Sequence, residues 1–123
     1  MFLFVYGSLM RTGRLHHKMG NATYMCDGYI DGALLFDLGG TPALKIIENF
    51  GSGYNRVYGE LFDVDDDHVF NVIDQVEGHP NLYQRMTICY YGVNRIEAYC
   101  MNNLVNTKAK CITSGIWKPS PAV

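Results

Sequence analysis

Charge is sparse in this 123-residue chain and no stretch of it is basic. Ten Lys and Arg face twelve Asp and Glu, for a net charge of −2. Lys108 and Lys110 alone make no basic stripe, so neither a nucleic acid nor an anionic membrane is an expected partner. The four cysteines, Cys26, Cys89, Cys100 and Cys111, include no C-x-x-C pair, and the four histidines offer no H-x-x-x-H spacing. His16 and His17 are adjacent and diverge on either a strand or a helix, so no metal site is expected. No apolar run approaches the length of a transmembrane helix. The apolar start at Met1 is broken by Gly7 and Ser8 and has no basic region before it, unlike a signal peptide. A cytoplasmic protein whose cysteines are reduced core thiols is therefore expected. Repeats, linkers and low-complexity stretches are missing too, which leaves one domain over residues 1–123.

What is present is an ordinary globular composition, 48% hydrophobic and 18% charged, long enough to bury a core. Phe2 to Tyr6 reads as a buried strand ended by Gly7-Ser8, and Leu15 to Met19 as one helical turn. Strands are expected over Thr23 to Ile30 and Ala33 to Leu38, separated by Asp31-Gly32. Ala43 to Ile47 and Val57 to Val64 suggest a further pair, joined through Gly51-Ser52-Gly53. An amphipathic helix follows over Asp65 to Glu77, capped by the Asp65-Asp66-Asp67 run and stopped by Gly78 and Pro80. Tyr83 to Tyr91 and Glu97 to Met101 read as a hairpin through Gly92-Val93-Asn94. Ser114 to Val123, with Trp117, Pro119 and Pro121, reads as irregular. Many strands and one good helix imply an α+β fold with a small mixed, curved or barrel-like sheet.

Glu77 is out of place on that helix. With Val69 at zero and about 100° per residue, Val69, Phe70, Val72, Ile73 and Val76 form one apolar arc, and Glu77 falls inside it at about 80°. A carboxylate aimed at an apolar layer needs a partner or a task. Burial and the negative end of its own helix would both raise its pKa, suiting a general base that returns its proton near neutral pH. The alternative is a buried salt bridge to Arg85 or Arg56. A second feature is Tyr6-Gly7-Ser8-Leu9, where a sharp turn would expose successive N–H groups to a carboxylate or a developing oxyanion. The alternative there is a plain turn, since Tyr-Gly recurs at Tyr58-Gly59 and Tyr91-Gly92. No nucleophile elbow exists, because Tyr6 and Met10 occupy its glycine positions. Nor is the acidic run at Asp63 to Asp67 a calcium loop, because His68 and Asp74 stand where one needs Gly and Glu. His79, just past the helix, is expected at the surface.

Two of these segments together resemble the gamma-glutamylcyclotransferase-like superfamily, nearest its gamma-glutamylaminecyclotransferase branch. They are Val5-Tyr6-Gly7-Ser8-Leu9 and Asp74-Gln75-Val76-Glu77-Gly78-His79-Pro80-Asn81-Leu82-Tyr83-Gln84-Arg85. Val57-Tyr58-Gly59-Glu60-Leu61-Phe62 is similar to the family's strand before the helix, and Ser114-Gly115-Ile116-Trp117 to its Ser-Gly-Asp-Trp. The resemblance implies cyclisation of a small-molecule gamma-glutamyl amide to 5-oxoproline with release of the amine, without metal or cofactor. It implies Glu77 as the catalytic acid/base and Tyr6, Gly7, Ser8 and Leu9 as the substrate-holding turn, with Tyr83 and Arg85 in supporting places. Met10-Arg11-Thr12-Gly13-Arg14 departs from the family's Lys-Arg-Gly, so the cavity rim differs, and Ile116 replaces an acid; both leave the identity of the substrate open. A non-catalytic module on the same fold, binding an amine through Glu77, is the alternative. A hydrolase built on Ser8 with His16 or His17 lacks a visible triad. The oligomeric state is open.

Overall fold

The structure is a computed structural model that describes residues 1–47, 55–79, 81–102, 104 and 109–118. Among the described residues, eight strands, a short 3-10 turn and one α-helix follow one another in an α+β arrangement. The strands are β1 (Phe2–Val5), β2 (Thr23–Asp31), β3 (Ala33–Asp37), β4 (Pro42–Ile46), β5 (Arg56–Asp63), β6 (Gln84–Tyr91), β7 (Asn94–Cys100) and β8 (Lys110–Cys111). The 3-10 turn is His16–Met19 and the helix α1 is Asp67–Glu77.

The apolar β1 lies at the centre of a five-stranded sheet of order β2-β5-β1-β7-β6. It pairs antiparallel with β5 and parallel with β7, which suits a strand buried on both faces. A second sheet has the order β4-β3-β8. Neither sheet closes on itself among the described residues, so the barrel-like expectation is corrected to two open sheets. The expected pairing of Ala43–Ile47 with Val57–Val64 is also not found. β4 pairs with β3, and β5 pairs with β1 and β2. Gly51-Ser52-Gly53, expected to join them, lies outside the described residues, as do Pro80, Pro119 and Pro121. At Asp31-Gly32 the chain crosses from one sheet to the other.

α1 begins two residues later than the acidic run suggests. Asp66 is its N-cap, with a side-chain oxygen accepting from the His68 N–H at 2.8 Å. Its end is a Schellman motif. Gly78 is left-handed at φ 68°, its N–H donates to Gln75 O, and the His79 N–H donates to Asp74 O. Val69, Phe70 and Ile73 are buried as the wheel requires, but Val76 is 38% exposed. The β6–β7 hairpin turns on Gly92-Val93 alone, with Tyr91 opposite Asn94 and Gly92 at φ 63°. Only Cys100 is a core thiol. Cys26, Cys89 and Cys111 are exposed, which corrects that expectation.

Two buried clusters result. One packs Leu3, Val5, Phe62, Val69, Phe70 and Ile73 beneath α1, and the other packs Phe4, Tyr6, Leu35, Leu44, Val57 and Cys100 between the sheets. Alternation along β1 sends successive side chains into different clusters. The cavity described next opens where β1 ends.

Candidate active site

A cavity of about 290 Å³ opens at the end of β1. Tyr6, Gly7, Ser8 and Leu9 form one wall, Glu77 and Val76 another, and Thr41, Pro42, Leu82, Tyr83 and Tyr99 complete much of the rest. The first strand, the end of α1 and the start of β4 thus meet here, far apart in sequence.

The Tyr6–Leu9 segment is a tight reversal in which the Met10 N–H donates to Gly7 O at 3.0 Å. Ser8 and Leu9 are its central residues, and their N–H groups donate to no other described residue. Glycine at position 7 is a packing requirement, because a Cβ there would lie 2.4 Å from Pro42 Cγ. The Tyr6 side chain turns into the core. Its hydroxyl donates to Tyr99 O at 2.7 Å and accepts from the Leu44 N–H at 3.2 Å.

Glu77 sits half-buried in the cavity wall. Its side chain makes no ion pair among the described residues, so the salt-bridge alternative does not hold. Arg85 lies elsewhere. Its Nε is 3.3 Å from Asp74 Oδ1 and 3.7 Å from Glu97 Oε2, and its guanidinium stacks over Phe70. Arg56 is held by Asp31 at 2.7 Å. Burial raises the Glu77 carboxyl from 4.5 to about 7.

Of the two supporting residues expected, Tyr83 lines the cavity and Arg85 does not. The Tyr83 hydroxyl donates to Pro42 O at 2.7 Å, and its N–H donates to Glu77 O at 3.2 Å. Burial first, then the Glu77 charge, pushes its phenol up to about 12, so it stays a neutral donor. Tyr99 went unnoticed in the sequence. It lines the cavity, and its hydroxyl donates to Asp74, the residue one turn before Glu77. Burial and then that bond raise the pKa of its phenol. Arg85 bridges Asp74 to the buried Glu97, so the helix end is anchored to β7 through Tyr99, Asp74 and Arg85. An odd-even pattern in Glu97 to Tyr99 carried no signal that Tyr99 faces a cavity. His79 is half-buried rather than at the surface, its Nδ1 accepting from the Arg85 N–H at 3.0 Å.

No group of three or more His, Cys, Asp or Glu among the described residues is placed to hold a metal. His16 Nδ1 lies 2.9 Å from Leu9 O, not on the Ser8 hydroxyl, so nothing here activates a serine.

Glu77 and the Tyr6–Leu9 turn, the two features singled out in the sequence, line one cavity. A model of the gamma-glutamyl cyclotransferase, AIG2-like family matches residues 3–119. The chain belongs to that family. A curated relative, gamma-glutamylaminecyclotransferase A of Danio rerio, is 29% identical over 91 residues, covering 70% of this chain. The match spans 56% of that relative's length, so the chain reaches only about half of it. Among solved structures, ytfP of Escherichia coli has a TM-score of 0.70 at 29% identity, covering 95% of this chain and 96% of that one. An aig2-like protein of Mus musculus has a TM-score of 0.66 at 21% identity, covering 85% and 78%. At that identity, the likeness to the mouse protein speaks for the fold.

Proposed function

We propose that this chain is a metal-free gamma-glutamyl(amine) cyclotransferase, with Glu77 as general acid/base and the Tyr6–Leu9 turn as substrate holder. The observation that carries this reading is a half-buried Glu77 without an ion-pair partner among the described residues, on the same cavity as the N–H groups of Ser8 and Leu9.

The nucleophile is the substrate's own α-amine, so the protein needs no Ser, Cys or cofactor nucleophile. Glu77 takes a proton from the α-ammonium, and the freed amine attacks the γ-carbonyl carbon. A C–N bond closes the five-membered ring, and the carbonyl oxygen becomes an oxyanion within reach of N–H donors of the kind the turn offers. The oxyanion then collapses and breaks the original amide C–N bond. Two protons leave the α-nitrogen in all, and two reach the departing nitrogen, so the amine leaves as its ammonium form and 5-oxoproline remains. Glu77 carries the protons one at a time, and a pKa near 7 lets it do so in both directions. Holding the glutamyl chain folded makes attack intramolecular, which supplies much of the acceleration.

The test is release of 5-oxoproline from a panel of gamma-glutamyl amides. Wild type is expected to turn over at least one of them, and Glu77→Gln to lose about 100-fold or more of that rate. Intact release by Glu77→Gln would overturn the assignment of the base. Binding of a gamma-glutamyl compound without any release by wild type would instead favour the non-catalytic module.

A further inference from the structure

The cavity has two charged residues in its wall, Glu77 and Arg14. Arg11, Arg56 and Arg85 each hold a carboxylate, whereas Arg14 pairs with none among the described residues. It is exposed, while Glu77 is half-buried. Its backbone is nevertheless fixed to the wall of the site. The Leu15 N–H donates to Ser8 O at 2.9 Å and the Gly13 N–H to Met10 O at 2.7 Å. Gly13 packs so closely that a Cβ would lie 2.1 Å from Ser8 O. Arg11, on the same loop, is clamped through its N–H and Nε to Glu60 at 2.8 and 3.2 Å, with its guanidinium over the Tyr24 ring. An exposed guanidinium without a carboxylate partner among the described residues is thereby carried into the cavity wall by a loop hydrogen-bonded to the turn.

We propose that Arg14 is a specificity-determining residue that selects gamma-glutamyl substrates whose departing amine carries a carboxylate. This rests on the cyclotransferase reading above. A guanidinium fork suits a carboxylate in a bidentate pair. Within the substrate, the α-carboxylate shares its carbon with the attacking amine and stays beside Glu77 and the turn. The departing amine must leave to solvent, so its far end is the part that meets an exposed rim. The two wall charges then run in the same direction as the substrate, with the ammonium inward at the acid and the carboxylate outward at the cation.

Gamma-glutamylalanine and gamma-glutamylethylamide differ only by that carboxylate. The expected ratio of their kcat/KM values in wild type is about 10 in favour of gamma-glutamylalanine, the size of one partly exposed charge-assisted hydrogen bond. In Arg14→Gln the ratio falls to about 1, mainly through KM, and Arg14→Lys recovers part of it. A ratio that Arg14→Gln leaves unchanged overturns the proposal, including the case in which both substrates lose equally because Arg14 serves the glutamyl α-carboxylate. The same two compounds titrated calorimetrically into Glu77→Gln, with and without Arg14→Gln, read the preference without turnover. Absence of 5-oxoproline from wild type would therefore sink the catalytic reading, while the binding ratio still decides the role of Arg14.

Discussion

At Glu77 the chain keeps a carboxyl that its surroundings would rather see protonated. The folded state holds the proton to about pH 7, whereas an unfolded Glu releases it near 4.5. The folded protein thus binds more protons than the unfolded one between those values, so stability falls as pH rises through that window and levels off above it. A shift of this size amounts to roughly 3 kcal/mol. Denaturant unfolding at pH 5 and pH 8 checks it. Glu77→Gln should gain on wild type by roughly 2–3 kcal/mol between the two values, and an unchanged gap would contradict the shift. Under the proposed mechanism the same group would set the activity profile, because only its ionised form accepts the α-ammonium proton. The kcat/KM of wild type should rise tenfold per pH unit below about 7 and flatten above it. The helical wheel made Glu77 conspicuous, since its oddity is one of position on a single element. Whether Arg85 neutralised it was not legible, because that depends on where β6 runs relative to α1. There Arg85 meets Asp74 and Glu97 instead.

At the scale of elements, the turn after β1 shows how a local signal can be right for an incomplete reason. Tyr6-Gly7-Ser8 reads as a strand followed by a reversal, and both are there. The need for glycine, however, comes from the Pro42 ring at the start of β4, which no local pattern reveals. Gly7→Ala is expected to displace the turn or the ring, lowering stability by about 1–3 kcal/mol. Its kcat/KM should fall further than the stability loss alone explains, measured at a temperature where the variant is fully folded, because the Ser8 and Leu9 N–H groups move with the turn. Helix α1 was legible almost to the residue, its cap and its glycine stop being local chemistry. The pairing of Ala43–Ile47 with Val57–Val64 was not, since both strands are apolar enough to join any neighbour and only the sheet order separates them.

Across the whole molecule, the two sheets are stitched together at the cavity by Tyr6. Its hydroxyl receives the Leu44 N–H of one sheet and donates to the Tyr99 carbonyl of the other. In Tyr6→Phe both backbone groups stay buried without that partner, at a cost of about 2 kcal/mol. Hydrogen exchange should show the Leu44 amide losing protection first, whereas amides in the middle of β5 should follow only the global change. Equal loss at both places would mean that Tyr6 does not couple the sheets. No helix among the described residues is long and apolar enough to cross a membrane.

By itself, the sequence determined the elements other than β8, the helix cap, the turn and the two motifs that resemble this family's, because each rests on interactions within a few residues along the chain. Only the tertiary structure decided that the sheets stay open, that Tyr99 and Arg14 join the cavity wall and that Glu77 has no cation beside it among the described residues. Those outcomes depend on contacts between residues tens of positions apart. A periodicity can show which face of an element is apolar, but not which other element covers it.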